Sequence, residues 1–120
     1  MAKGDDLRER LILFAARIVK VCNALPPTIA GRHIADQLLR SGTAPAARHS
    51  EARAAESAAD FVHKMKIGVK ELNETEIWLR IIVASELLPE TKLADLLNEC
   101  NQLQRIFSTS INTARKSRRR

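Results

Sequence analysis

The sequence predicts an all-α protein, an antiparallel up-down-up-down four-helix bundle. Three observations carry this. Apolar residues recur every three or four positions over most of the 120 residues, and no period-two strand bounded by turn residues is found. The composition is rich in Ala, Leu, Arg, Glu and Lys, with four Gly and four Pro, so long helices have few internal breakers. The prolines fall between the periodic runs, except Pro45, and leave short links that favour antiparallel neighbours. A chain of this length forms one domain with a real core.

The first helix is expected to start at a cap on Asp5 or Asp6, whose charge suits the helix dipole. Its stripe is Leu7, Leu11, Phe14, Ala15, Ile18, Val21, Cys22 and Leu25, widened by Ile12, Leu13 and Val19. Pro26 and Pro27 end it, because neither donates a backbone N–H. Residues 26–31 connect to a second helix with Ile34 and Leu38 inward. Pro45, after Ser41, Gly42 and Thr43, predicts a kink or a break there. Helix resumes to about Ala55 on a run of alanines, read either as a close-approach surface or as plain helix propensity.

Ser57 is the expected N-cap of a long third helix over residues 58–88, about 45 Å at ~1.5 Å per residue. Its stripe is Ala58, Phe61, Val62, Met65, Gly68, Val69, Leu72, Leu79, Ile82 and Val83, interrupted at Thr75 and Glu76. A second apolar set, Ile67, Ile77, Trp78, Ile81 and Leu88, lies beside it. A helix apolar on two sides is either surrounded within its own fold or faces another subunit. Glu76 in a core stripe needs a partner such as Arg40, Arg80 or a hydroxyl. After Pro89, Glu90 or Thr91 starts a fourth helix with the stripe Leu93, Leu96, Leu97, Cys100, Leu103, Phe107, Ile111 and Ala114.

The net charge of +6 is uneven. Arg115, Lys116, Arg118, Arg119 and Arg120 carry five cations in the last six residues, and without them 15 basic face 14 acidic side chains. The chain divides into a near-neutral bundle, residues 1–114, and a basic C-terminal tail, residues 115–120. Such a tail attracts phosphates with strong salt dependence, or simply keeps the protein soluble. Lys64, Lys66 and Lys70 are a weaker basic strip, alternatively a solvated face with helical ion pairs to glutamates. With three Phe and one Trp, mostly at core spacing, binding is expected to be backbone-directed.

No enzyme reading finds residues to stand on. His33, His49 and His63 are scattered and make no metal-ligand spacing. Cys22 and Cys100 lie on core stripes, without the exposure and adjacent base a nucleophile needs. No glycine-rich phosphate loop or inward Glu-x-x-His pair occurs, so no cofactor is implied. The six-residue apolar run from Leu11 is too short for a membrane span and no cleavage site follows it, so a bacterial-type cytoplasmic protein is expected.

Two segments resemble a known family. Residues 60–81 (DFVHKMKIGVKELNETEIWLRI) and residues 37–52 (QLLRSGTAPAARHSEA) are similar, in order and spacing, to the two signatures of the bacterial four-helix bundle family named after the protein encoded in intervening sequences of 23S ribosomal RNA. Gln37, Leu38, Arg40, Ser41, Thr43 and Glu51 match one signature. Phe61, Lys64, Lys70, Glu71, Glu74, Thr75, Trp78 and Leu79 match the other. Arg48 stands where the family usually has Asn, and Pro45 where it usually has an apolar residue.

The resemblance implies an antiparallel bundle assembled as a ring-shaped homopentamer, with the two-sided third helix at the contact. One related branch, the accessory protein of diversity-generating retroelements, is a basic pentamer that binds nucleic acid and a reverse transcriptase. By this likeness the protein is a non-enzymatic scaffold for RNA or DNA backbones, in a ribosomal or retroelement setting. The alternative is a scaffold for a protein partner, such as a reverse transcriptase, with a merely solubilising tail. Five tails in a pentamer would present 25 cations.

Overall fold

The computed structural model describes residues 3–118, which form four helices: α1 (Lys3–Ala24), α2 (Ile29–Arg53), α3 (Ala58–Ala84) and α4 (Glu90–Arg118). They pack as an elongated bundle, 52 × 23 × 22 Å. Cross-helix contacts set the directions. Cys22 on α1 reaches the Ala35 carbonyl on α2, while Asp5 pairs with Arg53, so α1 and α2 run antiparallel. His33 meets Trp78 and Arg48 meets Glu71, which gives the same sense for α2 and α3. On α4, Gln104 donates to Glu76, and Arg115 shares a groove with Lys66. The topology is up-down-up-down, with α1 and α4 meeting more loosely than the other neighbours.

The core stripes are largely those of the sequence. Leu11, Phe14, Ile18, Leu38, Met65, Leu72, Leu79, Ile82, Leu93, Leu96, Leu103 and Phe107 are fully buried. Ile12 and Leu13, expected to widen the α1 stripe, are 45% and 63% exposed, and Val19 is exposed too. At ~100° per residue they stand away from Leu11, Phe14 and Ile18, and α1 has close neighbours on too little of its circumference to cover them.

Helix ends follow local chemistry more closely than periodicity. Asp5 and Asp6 lie inside the first turn of α1, not before it. α2 begins at Ile29, within the expected connection, because Thr28 Oγ1 accepts from the Gly31 N–H at 3.0 Å. α3 starts as expected, with Ser57 Oγ accepting from the Asp60 N–H at 3.1 Å.

α3 stops at Ala84, four residues before the expected end. Glu86 takes a left-handed φ of 60°, its N–H bonds to the Val83 carbonyl, and the Leu87 N–H reaches back to Ile82, each at 3.1 Å. These two bonds form a Schellman motif with glutamate where glycine is usual. They turn Leu87 and Leu88 back onto the core before Pro89 is reached.

Pro45 does not break α2, which continues as one helix to Arg53. Only the hydrogen bond from residue 45 to the Ser41 carbonyl is forfeited. Burial compensates: Ser41, Gly42 and Pro45 are all buried between neighbouring helices. At Gly42 a Cβ would come within 2.7 Å of the Ile18 side chain, so glycine sets the α1–α2 approach here. The alanines contribute less, since Ala47 and Ala54 are exposed and only Ala52 is buried.

Candidate nucleic-acid interface

The outward face of α3 is a single stripe at helical spacing: His63, Lys66, Lys70, Asn73, Ile77 and Ile81, all exposed. It is basic in its first half and apolar in its second. The basic half borders a groove of about 460 Å³ between α3 and the end of α4. Lys66, Lys70 and Arg115 line it, with His63, Ser108 and Asn112 as further polar groups and Ile67, Val69 and Ile111 as apolar ones. Residues 66 and 115 are far apart in sequence. The antiparallel α3–α4 pairing brings them together.

No carboxylate lines this groove. Among the described residues every ion pair uses an arginine: Arg10 with Glu99, Arg40 with Glu74, Arg48 with Glu51 and Glu71, Arg53 with Asp5, and Arg80 with Glu76. Lys66, Lys70 and Arg115 take part in none. The helical ion pairs offered by the solvated-face reading are therefore not formed by these two lysines. Three uncompensated cations around one concavity, with amide and hydroxyl groups beside them, suit an anion such as a phosphate.

The other basic candidates lie elsewhere. Lys64 is half-buried and does not line the groove; Lys116 is exposed on α4. α4 runs on through Ala114 to Arg118, so the basic segment begins as helix. Arg119 and Arg120 lie outside the described residues, as does the side chain of Arg118.

The residues proposed to face another subunit also separate. Ile77 is 53% exposed and Ile81 38% exposed. Ile67 lines the basic groove. Trp78 is half-buried, donates Nε1–H to Glu74 at 3.2 Å and meets the His33 ring edge-on at 5.9 Å. Leu88 packs against its own core. Only Ile77 and Ile81 present a large free apolar surface on α3.

A buried polar seam between α2 and α3 is absent from the periodicity reading. Thr75 Oγ1 sits 3.0 Å from Ser41 Oγ and 2.8 Å from the Glu71 carbonyl, with Ser41 and Thr75 both fully buried. Glu71 is buried beside Arg48, 3.3 Å away; burial raises its pKa, and the guanidinium partly opposes the rise. The signal was present as polar residues at inward positions 71 and 75. Glu76, by contrast, stays part-exposed and is satisfied by Gln104 at 2.9 Å and Arg80 at 3.8 Å.

The cysteines contact different helices: Cys22 Sγ–H donates to Ala35, and Cys100 Sγ–H to Leu72 on α3. Burial pushes both thiols up, Cys100 to about 11. No helix among the described residues is long and apolar enough to cross a membrane.

Residues 6–109 match the family model of the 23S rRNA-intervening sequence protein. The chain belongs to that family. A solved structure is also similar: the 1.70 Å crystal structure of a protein of unknown function from the S23 ribosomal protein family of Bacteroides thetaiotaomicron. It is 31% identical, aligns over 92% of this chain and 99% of its own, and superposes with a TM-score of 0.85. No curated protein matches. The 23S rRNA-intervening sequence match thus spans both signature segments and the polar seam, and it stops before Arg115.

Proposed function

We propose that this protein is a non-enzymatic scaffold that binds nucleic-acid backbone, RNA or DNA, through the α3–α4 groove and the basic C-terminus. The observation that carries the proposal is the convergence of Lys66, Lys70 and Arg115 on one groove with no carboxylate to neutralise them. Lys116 extends the charge along α4, and Arg118, Arg119 and Arg120 follow it in sequence. Membership of the intervening-sequence family supports a ribosomal-RNA setting, and a retroelement setting is the alternative.

The scaffold acts as a homo-oligomer, with a pentameric ring as the expected form. Ile77 and Ile81, on the same face of α3 as the lysines, supply the contact. Repetition around a ring would place several basic grooves on one nucleic acid and turn weak contacts into strong collective binding. The same free apolar face supports a second reading, in which the occupant is a protein such as a reverse transcriptase.

The test is an electrophoretic binding assay on structured RNA and duplex DNA with wild type and a Lys66→Glu/Lys70→Glu variant. Neither lysine is buried or paired, so the fold is expected to survive. Binding should weaken at least about tenfold, some 1.4 kcal/mol. Unchanged binding would remove the groove from the account. Absence of binding by wild type would favour the protein-partner reading.

A further inference from the structure

We infer that the α3–α4 groove accepts one unpaired nucleotide, so that the protein prefers single-stranded to double-stranded nucleic acid. This rests on the proposed function and goes beyond it, because backbone attraction alone does not distinguish the two forms.

The groove's shape and its two kinds of lining favour a nucleotide over a phosphate alone. Its volume, about 460 Å³, falls in the lower part of the range of small-molecule sites, roughly 300–1,000 Å³. That suits one nucleotide and is far too small for a duplex, which could touch only the rim. The rim carries Lys66, Lys70 and Arg115, placed to meet phosphates. Ile67, Val69 and Ile111, more buried than the cations, form its apolar interior, while Ser108 and Asn112, exposed beside them, offer hydrogen-bonding groups.

A phosphate alone would leave the apolar lining unused. A base or ribose covers apolar surface with its face and meets amide and hydroxyl groups with its edge. In a duplex the bases are stacked and paired, and extruding one costs a few kcal/mol; in a single strand the cost is much smaller. The interior contacts are therefore open to a single strand and closed to an intact duplex. No Phe, Tyr or Trp lines the groove and His63 is its one aromatic ring, so contact is mostly with aliphatic side chains and sequence preference is weak.

The experiment is fluorescence anisotropy at one fixed salt concentration, with a labelled 12-nucleotide uridine strand and a labelled 12-base-pair RNA duplex. Wild type is compared with Ser108→Leu. Ser108 is exposed on α4, so leucine there fills the groove without entering the core or changing a charge. Circular dichroism verifies that the variant is folded. Wild type should bind the single strand at least about tenfold more tightly than the duplex. Ser108→Leu should bring the two affinities within about twofold, by weakening single-strand binding more than duplex binding. Equal affinities in wild type, or a preference that Ser108→Leu leaves intact, overturn this inference and leave backbone binding standing. Failure of both probes to bind overturns the proposed function together with it.

Discussion

His49 shows what burial does to a single side chain. It is 4% exposed, packs near the Phe107 ring, and its Nδ1 has no hydrogen-bond partner. Burial lowers its pKa, and the Arg53 and Arg8 charges lower it further. The native state therefore resists protonation that the unfolded chain accepts near the ordinary histidine pKa, about 6.5. Below that pH the unfolded state holds more protons, so stability falls as pH drops towards and through the lowered folded pKa. Urea midpoints measured between pH 7.5 and 5 should decline, and His49→Asn should flatten that part of the curve. An identical decline in the variant would assign the effect to other groups. Position 49 continues the inward series Ile34, Leu38, Pro45 and Ala52 at helical spacing, but Ser41 and Gly42 thin the apolar signal that would mark it as interior. Its neighbour across the bundle interior, the Phe107 ring of α4 with centroids 6.4 Å apart, is set only by the three-dimensional fold.

At the scale of elements, the core positions were legible and the ends only in part. The stripes of α3 and α4 follow from spacing alone, because a 3.6-residue period leaves one face to bury. The ends depend on individual hydrogen bonds. Thr28 and Ser57 both cap helices, and Ser57 stood out in the sequence because Asp60 follows it in the first turn. The Schellman turn at Glu86 was hidden, since the usual glycine is missing and the apolar pair Leu87–Leu88 prolongs the pattern. This yields a prediction for the α3–α4 link. Glu86→Gly relieves the left-handed conformation at an exposed site, against glycine's extra unfolded-state entropy. The variant should gain up to about 1 kcal/mol in denaturant unfolding. A loss of stability would show that the Glu86 side chain contributes something other than strain. Pro45 teaches the opposite lesson: a breaker by local rules is carried through by packing on both sides.

For the whole molecule, the informative feature is how α3 divides its outward face. Lys66 and Lys70 were visible in the sequence, and so was Arg115. Their union in one groove was not, because it depends on α3 and α4 pairing over their full lengths. Charge-pair accounting could not be done from sequence either: the arginines have carboxylate partners across helices, whereas the groove lysines do not. The apolar half, Ile77 and Ile81, predicts assembly. Light scattering should give a mass near five times 13.4 kDa, and Ile77→Arg/Ile81→Arg should lower it. A monomeric wild type would contradict the ring and leave these two side chains as scattered surface hydrophobes.

The most direct measurement is the salt dependence of RNA binding by the intact protein and by a form lacking residues 115–120. Each phosphate contact contributes roughly 0.7 to the slope of log affinity against log salt for a single strand. The account predicts tight binding at low salt, a steep slope, and a shallower slope with weaker binding after deletion, because Arg115 leaves the groove with the rest of the basic segment. Affinity and slope unaffected by the deletion, or no binding at physiological salt, would contradict it.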